Sequence, residues 1–90
     1  MARKLAAYGF PISQQESLRA YILTGRPCGH FLTAILSNNL THACMRADPV
    51  NQPLLFAYGQ FLVNDAPFSC WGSPEHVEQW TAHNGLSGLD

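Results

Sequence analysis

The segment 30–37 constrains this chain more than any other. It lies between a tight Arg26-Pro27-Cys28-Gly29 connection and an Asn38-Asn39 pair. Within it, Phe31 and Ile35 form one i,i+4 pair, and Leu32 and Leu36 form a second. Two such pairs leave a helix apolar over most of its circumference, and a helix of that kind is central and buried. Asn38-Asn39 ends it, because asparagine tolerates the left-handed backbone region.

No stretch alternates apolar and polar residues with the β-branched bias of a strand. The fold class is therefore predicted to be all-α: a compact bundle of about five short helices with an N-terminal arm. The arm is 1–12, broken by Gly9 and Pro11 and made adhesive by Tyr8 and Phe10. Those rings either pack on the core or the arm exchanges between subunits. Residues 13–85 are predicted to form a single helical domain, and 86–90 to fray.

Ser13 and Glu16 have the spacing of a capping box and predict a helix start. Leu18, Tyr21 and Ile22 share one of its faces, and Gly25 supplies a left-handed stop. After the 30–37 helix, another runs over 40–47. There Leu40, Ala43, Cys44 and Ala47 fall at i, i+3, i+4 and i+7, and the small residues permit close packing. Asn51 or Asp48 caps a further helix that runs to 64, with Pro53 in its first turn. Leu54, Leu55, Tyr58, Phe61 and Leu62 form its broad stripe, while Phe56 and Val63 project elsewhere. Ser73-Pro74-Glu75 is a strong start for the last helix: a cap, a proline and an acid in the first turn. Its Val77, Trp80 and Thr81 face inward, and Asn84-Gly85 ends it.

Composition decides what such a bundle can do. Apolar residues make up 47% of the chain and charged residues 12%, against roughly 25% charged in ordinary soluble domains. Some apolar area is expected to stay exposed, and exposed apolar patches mark partner surfaces. A homo-oligomer or a protein partner is the expectation. The net charge is −1, and the basic residues Arg3, Lys4, Arg19, Arg26 and Arg46 are scattered. That disfavours nucleic acid, whose binders carry a basic stripe for the phosphates. An odd count of three cysteines and an N-terminus without an apolar signal region predict a reducing, cytoplasmic setting. The apolar runs are too short to span a bilayer, so no membrane is expected.

Chemistry-bearing patterns are sparse. Cys28/His30 and His42/Cys44 are paired thiols and imidazoles, with Cys70 and His76 besides. Residues two apart on a helix diverge by about 200°, so no metal and no cofactor are expected, and Cys44 is assigned to buried small-residue packing. Cys28–His30–Asp48 or Cys70–His76–Asp65 could be assembled as nucleophile sets. Both thiols precede a helix, a setting that activates cysteine. No local signature supports either set, so no catalytic residue is assigned and the chain is expected not to be an enzyme. Glu75 and Glu78 lie on a solvated face. The turn at Arg26 is a connector or an anion holder. Trp71, just ahead of a capped helix, is a loop anchor or an exposed hot spot. The residues singled out for partner or ligand contact are Trp71, Ser73, Glu75, Arg46, Arg26 and Tyr58.

The runs Gly29-His30-Phe31-Leu32-Thr33-Ala34-Ile35-Leu36-Ser37-Asn38-Asn39-Leu40, Arg46-Ala47-Asp48 and Cys70-Trp71-Gly72-Ser73-Pro74-Glu75 resemble a group of small proteins encoded by bacteriophages and other mobile elements. The likeness covers 21–85. It implies a context rather than an activity: an accessory protein in the host cytoplasm that binds and inhibits a host defence complex, as anti-CRISPR proteins do, or sequesters a defence signal. Three binding functions follow. The first is occlusion of a host protein complex. The second is an oligomeric sponge for a small nucleotide-type signal, with Trp71, Tyr58, Arg26 and Arg46 lining pockets between subunits. The third is a helix-turn-helix regulator reading nucleic acid through 40–47, which offers only Thr41, His42, Met45 and Arg46 to a groove.

Overall fold

The computed structural model describes the backbone of residues 2–89 and the side chains of 5–88. The described chain is all-α, with no strand among the described residues. The α-helices are α1 (Ala2–Ala7), α2 (Ile12–Thr24), α3 (His30–Leu36), α4 (Leu40–Arg46), α5 (Leu55–Asn64) and α6 (Pro74–Ala82), with short 3₁₀ turns at Gln52–Leu54, Phe68–Cys70 and Gly85–Leu89.

The apolar α3 is central, as its sequence requires: Phe31, Leu32, Ala34 and Leu36 are all buried. Asn38 ends it at φ 62, and its last carbonyl, on Leu36, accepts from the Gly72 N–H at 2.8 Å. Leu18, Tyr21 and Ile22 of α2, Tyr58, Phe61 and Leu62 of α5, and Trp80 of α6 close around it in one cluster.

Polar ties fix the large side chains in place. Trp80 Nε1–H donates to the Tyr21 carbonyl at 2.9 Å, and the Tyr21 hydroxyl donates to the Cys70 carbonyl at 2.7 Å. These two bonds join α6, α2 and the 68–70 turn through the core. Every buried side-chain nitrogen and oxygen among the described residues has a partner, as a low-dielectric interior demands.

The N-terminal arm takes one of its two expected placements, packed on the core, whereas the C-terminal end differs from its expected fraying. The arm contains a helix, α1, and is docked: Leu5 and Phe10 are buried. The Phe10 ring stacks on Tyr58 at 4.1 Å between centroids, and Tyr8 stacks on Phe10 at 5.5 Å. The Tyr8 hydroxyl donates to the Asp65 carboxylate. At the other end, 86–89 forms a 3₁₀ turn packed on α2 rather than a frayed tail, with Leu86 against the core; Asp90 lies outside the described residues. The reason is a close backbone approach. Gly25 (φ 75) and Gly85 (φ 61) face each other so tightly that a Cβ on Gly25 would lie 2.8 Å from the Gly85 nitrogen. Only glycine satisfies both the left-handed backbone and that contact.

The capping box at Ser13 and Glu16 does not form. Helix α2 starts one residue earlier, behind Pro11, with no side-chain cap; the Pro11 carbonyl accepts from both Gln14 and Gln15 at 3.0 Å. Ser13 is therefore inside the first turn and exposed. The cap at Ser73 does form, its Oγ accepting from the His76 N–H at 3.1 Å.

Candidate binding surface

Helix α4 is held by its smallest residues. Ala43 is fully buried and Ala47, just past its end, nearly so, and the helix packs against α3. Asn39 caps it, its side-chain oxygen accepting from the His42 N–H at 3.1 Å. Leu40, Thr41, His42, Cys44, Met45 and Arg46 are all exposed. Leu40 and Cys44 were expected on the inner face. The helix is only two turns long and is rotated so that Ala43 and Ala47 are its buried side, which leaves its leucine and its thiol largely in solvent.

Helix α5 has one buried and one open face. Tyr58, Phe61 and Leu62 point inward. Phe56 and Val63 remain 77% and 73% exposed, and Gly59 and Gln60 between them are exposed as well. A Cβ added at Gly59 would meet nothing within 4 Å. Folding of the single chain therefore gives no reason for this glycine, which costs about 1 kcal/mol in a helix interior.

Between α4 and α5 the surface sinks into two adjoining hollows of about 400 and 440 Å³. Leu40, Leu55, Gly59 and Val63 line both. Ile35, Leu62 and Trp71 bound the first, and Phe56, Gln60 and Asn64 the second. None of the lining residues carries a charge.

The six residues singled out from sequence are dispersed. Trp71 is half-buried at the edge of the first hollow, and its carbonyl accepts from His76 Nδ1–H at 2.9 Å. It is both anchor and lining. Ser73 is committed to its cap. Glu75 is exposed in the first turn of α6, and Arg46 in the last turn of α4. Arg26 lines a separate, polar hollow of about 290 Å³ with Glu16, Ser17, Cys28 and Gly29.

Tyr58 is not a contact residue. It is 1% exposed, and its hydroxyl donates to Asn51 Oδ1 at 2.6 Å. Asn51 is itself buried and held by Asp48, whose Oδ1 accepts from the Asn51 backbone at 2.8 Å and from Nδ2 at 3.0 Å. The stripe on α5 places Tyr58 inward, and burial in the core keeps its ring from lining a pocket between subunits. Within one chain, Arg26 and Trp71 line different hollows.

The thiols also separate. Cys28 donates to the Ser17 carbonyl at 3.8 Å, and burial pushes its pKa up to about 11. Cys70 is fully buried, and burial pushes it up to about 12. Both shifts run against thiolate formation, opposite to the helix-start activation weighed from sequence. Cys44 is exposed, which corrects its assignment to buried packing. Among the described residues no three His, Cys, Asp or Glu side chains converge as metal ligands, and no helix is long and apolar enough to cross a membrane.

Sequence reasoning missed Leu40 and Gly59 as surface features. The signal for Gly59 was present: an isolated glycine inside a strongly helical stretch. Leu40 had none, because its spacing from Ala43 and Ala47 fits an inward face equally well. Comparison of the chain with models of known families, with curated proteins and with solved structures gives no match.

Proposed function

We propose that this chain works by binding, as a small protein that docks on a larger host protein complex and inhibits it by occlusion. The observation that carries the reading is α4: six of its seven residues are exposed, with Met45 at 74%. A two-turn helix held only by alanines presents nearly its whole circumference. Met45 is a flexible, polarisable contact residue, and Arg46 beside it supplies a directed charge of the kind enriched at hot spots. Val50, 59% exposed in the loop that follows, adds to the same apolar excess. The resemblance to phage-encoded proteins supplies the context of a host defence complex.

The test is affinity purification of the intact chain from host lysate, alongside Met45→Asp and Arg46→Glu. One stoichiometric host complex, retained by the parent and lost by both variants, is expected. Recovery of the protein by itself, or equal recovery by parent and variants, overturns the reading. A chain that recovers nothing but is stabilised by a cyclic nucleotide would point to the sponge function instead.

A further inference from the structure

We propose that the open face of α5 is a self-association surface, on which two copies of this chain pair antiparallel about a two-fold axis passing between Gly59 and Gln60. The pairing goes beyond the occlusion function, which rests on α4.

Three observations lead to a second copy rather than another occupant. The first is self-complementarity. Phe56, Gly59, Gln60 and Val63 occupy one face of the 10-residue α5, and their spacing is symmetric about the midpoint of 59 and 60. In an antiparallel pair Phe56 meets Val63 of the second copy, and the reverse contact repeats across the axis, as an isologous interface requires. The ring of Phe56 then lies over the hollow bounded by Leu40, Gly59 and Val63 of the opposite chain. A Cβ on Gly59 would meet nothing within 4 Å in its own chain, but at a helix crossing a glycine lets two backbones approach closely.

The second is charge. Helix α5 contains no charged residue, and neither do the walls of its hollow. A charged partner would be desolvated there without a counter-charge, whereas a second copy brings the same neutral face with Gln60 and Asn64 at its rim.

The third is area. A standard interface takes roughly 800 Å² from each partner, and weaker complexes take less. Leu40, Phe56 and Val63 are 69%, 77% and 73% exposed and together release on the order of 300 Å² of apolar surface. With the polar rim, that fits a small and reversible pair.

The test is sedimentation equilibrium of the intact chain over a wide concentration range, joined to cysteine cross-linking in a Cys44→Ser background. The mass is expected to rise from 9.9 kDa toward twice that value. Phe56→Asp and Val63→Asp, both at exposed positions, should each hold it at one chain. The double variant F56C/V63C should form an intermolecular disulfide that neither single variant forms. A mass of one chain up to the solubility limit overturns the proposal. A dimer that persists in both aspartate variants overturns the assigned face, and a dimer that they dissociate but F56C/V63C does not cross-link overturns the antiparallel register. Met45→Asp should leave the mass unchanged, so loss of self-association and loss of host-complex binding are read separately.

Discussion

The two sides of this molecule use the same apolar-rich composition in opposite ways. On one side, the C-terminal turn packs its backbone against α2 and α6 is tied to α2, although Ile12 and Phe68 stay exposed there and a hollow of about 380 Å³ remains between α2 and α6. Gly25 and Gly85 meet backbone to backbone, and Trp80, Tyr21 and Cys70 are joined by successive hydrogen bonds. On the other side, α4 and α5 cover the core with one face each and leave Leu40, Met45, Phe56 and Val63 in water. The first side shows how a 90-residue chain secures a thin stability margin. The second shows where apolar groups are present in excess of what the fold uses.

The largest effects should fall on the closed side. Trp80→Ala removes a fully buried ring and one of the two hydrogen bonds to the Tyr21 carbonyl, which keeps the Gly25 N–H, and should lower the unfolding free energy by about 3–5 kcal/mol in urea titration. A loss under 1 kcal/mol would mean that the α2–α6 contact is loose and the contrast overstated. Tyr58→Phe leaves the buried Asn51 without its hydroxyl partner and should cost about 1–3 kcal/mol. A null effect would reopen Tyr58 as a surface residue. Next come the two serines. Ser73→Ala should cost about 1 kcal/mol, whereas Ser13→Ala, with no cap to lose, should stay within about 0.5 kcal/mol. Equal costs would restore the capping box at α2. The thiols sharpen the comparison kinetically: Cys44 should react with a disulfide reagent in the folded protein, while Cys28 and Cys70 wait for unfolding. Raising the pH toward 9 should leave Cys28 and Cys70 unreactive in the folded protein, because burial pushes their pKa values up to about 11 and about 12.

Much of the helical layout was legible because its punctuation is strong. Gly25, Asn38, Asn84 and Gly85 all adopt the positive φ that ends a helix, and Ser73 caps α6 as its Ser-Pro-Glu run implied. The apolar pairs of α3 placed it at the centre. Packing of the arm by Tyr8 and Phe10 was one of two open readings, but the ring it lands on was not legible, nor was the docking of the C-terminal turn, since both depend on contacts far along the sequence: Phe10 on Tyr58, and Gly85 on Gly25. Nor was the rotation of α4, where alanines rather than the leucine face the core. For the candidate surface, the spare projection of Phe56 and Val63 was visible from the stripe on α5. Its depth was not, because a hollow arises only when α4 settles beside α5. Tyr58 was legible as inward-facing, and its nomination as a contact put chemical suitability ahead of that geometry.

If the outer faces of α4 and α5 are association surface rather than core, their apolar side chains are dispensable for folding. The most direct measurement is the urea midpoint and slope of the triple variant L40S/F56S/V63S, taken at a concentration where the parent sediments as a single chain. A free energy within about 0.5 kcal/mol per site of the parent and an unchanged slope are expected. A loss of several kcal/mol, comparable to that of Trp80→Ala, would contradict this expectation and place those side chains in the core.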